Sequence, residues 1–246
     1  KSDDEDDPSV AVAHWNDLID LTDTLNNDPD AIESIMDIDR AIWMLALDNV
    51  LVNLDSYIGQ FKQNYYIYKD DNARFNTVMW DLNMSFGTFG MTGESGGGGP
   101  GGGGPGGGGS GLSATEKAEL DPLLHDTNSN FPLMSKLMAV PRYKKMYLAH
   151  YKTILNEQIS NSNYLTLAND YQDIINASVQ ADPNRFYSFA QFQSNINTDI
   201  NLGMNTASGL TNLMNARATY LSGLSDFTAS QPLISSTTPS NTAPEI

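Results

Sequence analysis

The chain has 246 residues, 40% of them hydrophobic, and carries 30 acidic against 13 basic residues for a net charge of −17. That length and apolar content allow a core of one or two domains, while the acidic balance argues against nucleic acid and anionic membranes as partners, since both need a basic surface. The absence of cysteine excludes disulfides, thiolate catalysis and zinc–thiolate sites.

No apolar run approaches the roughly 20 residues that cross a bilayer, so no transmembrane segment is expected. Residues 1–8 (KSDDEDDP) read as an acidic tail. With no signal peptide recognisable and Lys1 as the first residue, the chain reads as a processed or excised piece of a longer protein. Val10, Ala13, Trp15, Leu18, Ile19, Leu21 and Leu25 recur at helical spacing. They predict an amphipathic helix over 9–25 with Ser9 as N-cap, broken by Asn26-Asn27-Asp28-Pro29. A short helix is expected over 30–35. Asp39 is then expected to cap a helix that is apolar on nearly all sides, through Ile42, Trp43, Leu45, Ala46, Val50 and Val52. Such a helix belongs at the centre of a core, with Asn49 as an internal hydrogen-bonding residue.

The end of this helix delivers Asn53 and Asp55. Two β-like runs, 65–68 and 75–79, flank the turn signal Asp70-Asp71-Asn72. A hairpin there brings Asp55 and Asn64, before the first run, to the same end as Asp81 and Asn83, after the second. Carboxylate and amide oxygens gathered in this way suit a hard cation such as Mg²⁺, and the cation could hold a polyphosphate. The same residues could instead cap a turn and satisfy backbone groups at strand ends.

Residues 94–111 form a glycine- and proline-rich insertion in a surface loop. It lacks the lysine and hydroxyl residue of a phosphate-binding P-loop. Beyond it the chain reads as helical. Ser113-Ala-Thr-Glu116 is a capping box, and the helix it starts stops near Asp121-Pro122. Further helices are expected over 131–138, 142–159, 163–181, 188–202 and 209–221, their Met and aromatic stripes forming core. His14, His125 and His150 show no ligand spacing and read as helix-face residues. Residues 228–246, rich in Ser, Thr and Pro, read as a linker to a further module.

The stretch Asn53, Asp55-Ser56, Asn64-Tyr65-Tyr66-Ile67-Tyr68, Trp80-Asp81-Leu82-Asn83 and Ser85-Phe86-Gly87 resembles the spore coat protein H (CotH) family of atypical, secreted protein kinases. The glycine insertion and the later segments look most like its Bacteroidetes-type members. The resemblance covers most of 38–221, and Pro141-Arg142-Tyr143 and Arg217 with Tyr220-Leu221 look like the family's C-terminal helices. It implies a mainly α fold with a small β-hairpin, similar to the C-terminal lobe of a kinase-like fold. That lobe would span 9–227, and the small N-terminal lobe is expected to be missing or supplied by another chain. The resemblance further implies that Asp55 is the catalytic carboxylate, that Asn64 and Asp81 hold the metal that bridges ATP phosphates, and that Asn83 is a further metal or supporting residue. Mg²⁺, Mn²⁺ or Ca²⁺ would accompany ATP, and the acceptor would be a Ser or Thr hydroxyl on another protein outside the cytoplasm or at the bacterial cell surface. In many relatives an acid is expected at position 83, so Asn83 removes a negative charge from the site. The alternative is a non-catalytic structural or adhesion module of an extracellular assembly, binding Ca²⁺ or nothing. A hydrolase that reuses the acidic cleft is a third reading.

Overall fold

The computed structural model of the chain describes residues 8–93, 111–201 and 206–228. All but the edge residues of the acidic tail, the glycine insertion and the C-terminal linker lie outside these ranges. The elements are α1 (Pro8–Asn27), a 3₁₀ turn (Pro29–Ser34), α2 (Ile38–Val50), β1 (Tyr65–Lys69), β2 (Phe75–Met79), a 3₁₀ turn (Leu82–Met84) and α3 (Ala114–Ala118). There follow α4 (Pro132–Ala139), α5 (Pro141–Ile154) with a π-helical last turn (Leu155–Ile159), α6 (Asn163–Ala181), α7 (Phe189–Ser194), a two-residue ribbon of β3 (Ile200–Asn201) and β4 (Thr206–Ala207), α8 (Leu210–Ser222) and α9 (Ser225–Thr228). The fold is thus mainly α with a small β-hairpin.

Helix α2 is central because its sequence gives it little polar surface. Ala41, Ile42, Leu45 and Ala46 are fully buried, and Asp48 and Asn49 are buried beside them. Its N-cap is Asp37, whose carboxylate accepts Arg40 N–H at 3.1 Å. The expected cap, Asp39, instead lies in the first turn and meets His150 Nε2 of α5 at 2.6 Å. The His150 ring stacks on Trp43 with centroids 4.0 Å apart. Helix α5 is the main partner of α2. Its Tyr143, Tyr147 and Tyr151, one turn apart, form a single buried stripe. Buried, they need partners for their hydroxyls: Tyr147 donates to Pro122 O, and Tyr151 donates to Asn49 Oδ1 at 2.9 Å.

Arg217 of α8 closes the core, fully buried. Its guanidinium donates to Val50 O, Ala118 O, Leu120 O, Asn49 O, Asn49 Oδ1 and the Tyr151 hydroxyl at 2.5–3.1 Å. The α2 carbonyls at the negative end of the helix dipole offset part of the cost of burying this cation. Asn49 is therefore the internal hydrogen-bonding residue that the sequence predicts.

The hairpin pairs Tyr65 with Met79 through Lys69 with Phe75. Its turn is built on Asp70, whose Oδ1 accepts the N–H of Asn72 and of Arg74. These bonds, the one from Arg74 first, hold the Asp70 carboxyl below its usual range. Strand β2 is fixed to the start of α2: Asp37 N–H donates to Phe75 O at 2.8 Å, Phe75 N–H to Ile35 O at 2.7 Å, and Thr77 Oγ1 to Arg40 O at 3.2 Å.

Several local expectations are corrected. Helix α1 begins at Pro8, so Ser9 is inside it and is not its cap. Leu21 and Leu25 are buried while Trp15 and Ile19 are exposed, so among the described side chains the α1 stripe packs through its C-terminal part. The helix expected over 188–202 ends at Ser194. There Asn195 Nδ2 donates to Thr198 O and Ser208 O, and Asp199 Oδ1 accepts Gly209 N–H and Asn212 Nδ2. These short polar side chains compete with the helical backbone. His14 and His150 sit on helices, but His125 occupies a turn at φ +70°. It is buried, and its ring stacks on Phe131 at 3.5 Å. Its Nε2 lies 3.0 Å from Ile58 O and 2.9 Å from Thr92 O, two acceptors that require the proton on that nitrogen. Close by, Gln60 N–H donates to Met91 O and Leu112 N–H to Gly90 O, the latter bridging the two flanks of the glycine insertion.

Candidate functional site

The loop that leaves α2 is buried almost throughout and folds on its own polar groups. Asn53 donates from its backbone to Asp48 O at 2.8 Å and from Nδ2 to Asp48 Oδ1 at 2.9 Å. Ser56 Oγ donates to Asn53 O at 2.6 Å. Leu54 is fully buried, and a Cβ on Gly59 would lie 1.6 Å from Leu54 O, so this close backbone approach admits glycine alone. Asp48 is 2% exposed, and burial pushes its carboxyl up to about 7, partly countered by the bonds from Asn53 and Ser56.

This scaffold leaves Asp55 half-buried at the surface, where two consecutive side chains hold it. Asn64 Nδ2 donates to Asp55 Oδ2 at 2.9 Å and to Asp55 O at 2.8 Å. Gln63 Nε2 donates to Asp55 Oδ1 at 2.6 Å. Lys62 and Asn64 are both left-handed, at φ +49° and +57°. Such residues cost about 1–3 kcal/mol each and persist where their surroundings fix them. Here the fixing contacts are visible: Asn64 and Gln63 grip Asp55, and Lys62 Nζ lies 4.2 Å from the Phe131 ring centroid.

The second strand returns to the same place. Trp80 N–H donates to Asn64 O at 3.1 Å, which sets Asp81 at the hairpin base. Asp81 is exposed and left-handed at φ +51°, a conformation that Asp and Asn tolerate better than most residues. Phe86 N–H to Leu51 O at 2.8 Å and Gly87 N–H to Val52 O at 3.1 Å then stitch the following segment to the end of α2. The structure therefore brings Asp55 and Asn64 into direct contact and delivers Asp81 beside them along the backbone. Asn83 is exposed on the turn Leu82–Met84, and no hydrogen bond among the described residues ties it to the other three.

Asn64 commits its Nδ2 to Asp55, so its Oδ1 faces no protein donor among the described residues. The Asp81 carboxylate and the Asn83 amide also make no hydrogen bond there. These are hard oxygen donors, but they comprise one acid and two amides. No group of three or more His, Cys, Asp or Glu among the described residues is arranged to hold a metal ion. The set does not fit an all-protein calcium cage. It fits a cation such as Mg²⁺, which keeps waters and takes phosphate oxygens alongside one or two protein ligands. A cavity of about 500 Å³ adjoins it, lined by Lys62, Gln63, Asn64, Tyr66 and Trp80 among others. The Tyr66 and Trp80 rings meet edge to face at 5.3 Å. A second cavity, about 430 Å³ between α3 and α8, contains none of these residues.

Sequence reasoning missed Gln63 and Asp48 and gave Lys62 no role in the site. Asp48 had a readable signal, an acid within an otherwise apolar helical run. Gln63 and Lys62 had none beyond adjacency to Asn64.

A family model described as CotH kinase protein matches residues 1–208. No curated protein and no solved structure matches the chain. With most of its length under that one model, the hairpin and site loop included, the chain belongs to the CotH kinase protein family.

Proposed function

We propose that this chain is the catalytic-loop and metal-binding part of an ATP- and Mg²⁺-dependent protein kinase that phosphorylates Ser or Thr hydroxyls on proteins outside the cytoplasm. Its kinase-like character at family level follows from membership; the nucleotide, the metal, the acceptor and a secreted or cell-surface location are the proposal. One observation carries it. Asn64 binds Asp55 twice through Nδ2 and has no protein donor on its Oδ1 among the described residues, while Asp81 follows Trp80, whose N–H donates to Asn64 O. An Asp that receives the acceptor proton, with an Asn and a second Asp for the metal, is the recurring equipment of phosphoryl transfer.

In this reading Asn64 Oδ1 and Asp81 would hold the cation, and Asn83 would support it. When bound, the cation would supply charge neutralisation on the phosphates. Asp55 is oriented by Gln63 and Asn64 and still has lone pairs free on both oxygens. It accepts the hydroxyl proton as the acceptor oxygen bonds to the γ-phosphorus and the bond to the ADP oxygen breaks. The test is phosphate incorporation from labelled ATP by the full-length protein with Mg²⁺ or Mn²⁺, beside Asp81→Asn. Incorporation by the parent and its loss in the variant support the assignment. A folded parent that neither binds ATP nor incorporates phosphate refutes it.

A non-catalytic surface or adhesion module is favoured by a different observation. Helix α6 has no buried residue and exposes Tyr171 and Ile174, a face suited to assembly contacts. That module would keep its fold and partners while ignoring nucleotide.

A further inference from the structure

We propose that Lys62 is a phosphate-binding residue, and that the cavity beside Asn64 and Trp80 takes the polyphosphate of the nucleotide against it. The inference rests on the kinase reading and goes beyond it, since that reading assigns only oxygen donors. The electrostatic argument comes first. Asp55 and Asp81 are both acids in a chain of net charge −17, so the site by itself repels a polyphosphate. A cation brought in with the nucleotide offsets part of that repulsion, and a fixed protein cation adjoining the same donors offsets more.

Lys62 is the cationic side chain in the lining of this cavity, two residues before Asn64. It is half-buried, and no carboxylate among the described residues pairs with it. Lys69, on the same hairpin, is instead tied to Asp17 at 2.6 Å. The Lys62 ammonium rests 4.2 Å from the Phe131 centroid, and the other side of the arrangement is closed by His125, stacked on Phe131 at 3.5 Å. An aromatic face holds an ammonium in place without neutralising it. The left-handed backbone at Lys62 and at Asn64 sets this cation and the Asn64 amide on one short loop.

The experiment measures binding of inorganic tripolyphosphate and of ATP to the full-length protein by calorimetry, with and without Mg²⁺, for the parent, Lys62→Met, Lys62→Arg and Lys69→Met. Lys62→Met should weaken both anions about tenfold or more, Lys62→Arg should retain most of the affinity, and Lys69→Met should change nothing. Tripolyphosphate should also shield Lys62 of the unmodified protein from an amine-acetylating reagent, a readout that needs no variant to fold. Unchanged tripolyphosphate affinity in a folded Lys62→Met, no shielding, or no tripolyphosphate binding by the parent would each overturn the inference. The two ideas separate cleanly. Lys62-dependent tripolyphosphate binding without phosphate transfer sinks the kinase reading and keeps this one, while phosphate transfer that is indifferent to Lys62 does the reverse.

Discussion

The C-terminal end of α2 faces two regions built from similar residue types for opposite ends. On one side Asn49 and Val50 meet Arg217, and each N–H-bearing nitrogen of that guanidinium finds at least one acceptor in the protein. On the other side Asn53 and Asp55 lead to Asn64, whose amide gives its donors to Asp55 and leaves its oxygen unused. Both arrangements use an asparagine to lock a charged neighbour. The first is a closed network, which holds the fold together. The second is closed on its protein side only, and its outer side is open to water. A half-satisfied polar cluster costs stability unless a ligand completes it, and here the open half is exposed to water, which makes it tolerable.

The largest expected effect comes from opening the closed region. While Asn49 O keeps the N–H of Val52, Arg217→Met leaves the carbonyls of Val50, Ala118 and Leu120 without the guanidinium donor. It should lower stability by about 3–5 kcal/mol, read as a shift in the urea midpoint. Next comes Asp48, buried between the two regions. Its carboxyl is raised from 3.8 to about 7 in the folded protein, so the folded state binds the extra proton between those values. Stability from this group is therefore present at low pH and is lost as pH rises toward 7, on the order of 3 kcal/mol between pH 5 and 8. Urea titrations at the two pH values should show this fall in the parent and a flatter response in Asp48→Asn. An equal slope in both would remove Asp48 from the account.

The open region should respond in the other currency. Asp81→Asn should reduce phosphate incorporation on the order of 100-fold or more, with stability changed by no more than about 0.5 kcal/mol, because the side chain is exposed and unbonded. A large loss of stability there would mean that the site is a structural network after all. The smallest effect lies at the rim of the core. Ser113 caps α3 by accepting Glu116 N–H, and Glu116 returns a bond to Ser113 N–H. Ser113→Ala should cost about 1 kcal/mol in thermal or urea unfolding and leave phosphate transfer unchanged.

Much of the fold was legible because periodicity and punctuation agree. The hairpin runs, the Ser113 capping box, the boundary at Val140-Pro141 and the helix over 163–181 all carry local signals that tertiary packing did not override. The failures have a common cause. The helix expected past Ser194 was lost to side-chain bonds from Asn195 and Asp199, and the cap falls on Asp37 and not Asp39 because pairing with Phe75, nearly 40 residues away, holds the chain extended up to that point. At the site, Asp55, Asn64 and Asp81 could be grouped from a hairpin alone. The grips of Gln63 on Asp55 and of Phe131 on Lys62 could not, because they depend on left-handed turns and on a residue from a distant helix start.

The bond from Leu112 N–H to Gly90 O joins the two flanks of the glycine insertion across its base. A cut made between those flanks yields two pieces, one with α2 and the hairpin and the other with α5 and α8, whose shared surface is the core itself. The two pieces should stay together after cleavage and reassemble when produced apart. The same position should accept a fluorescent protein or an affinity tag at little cost, since closing a longer loop adds only about 0.6 kcal/mol per doubling.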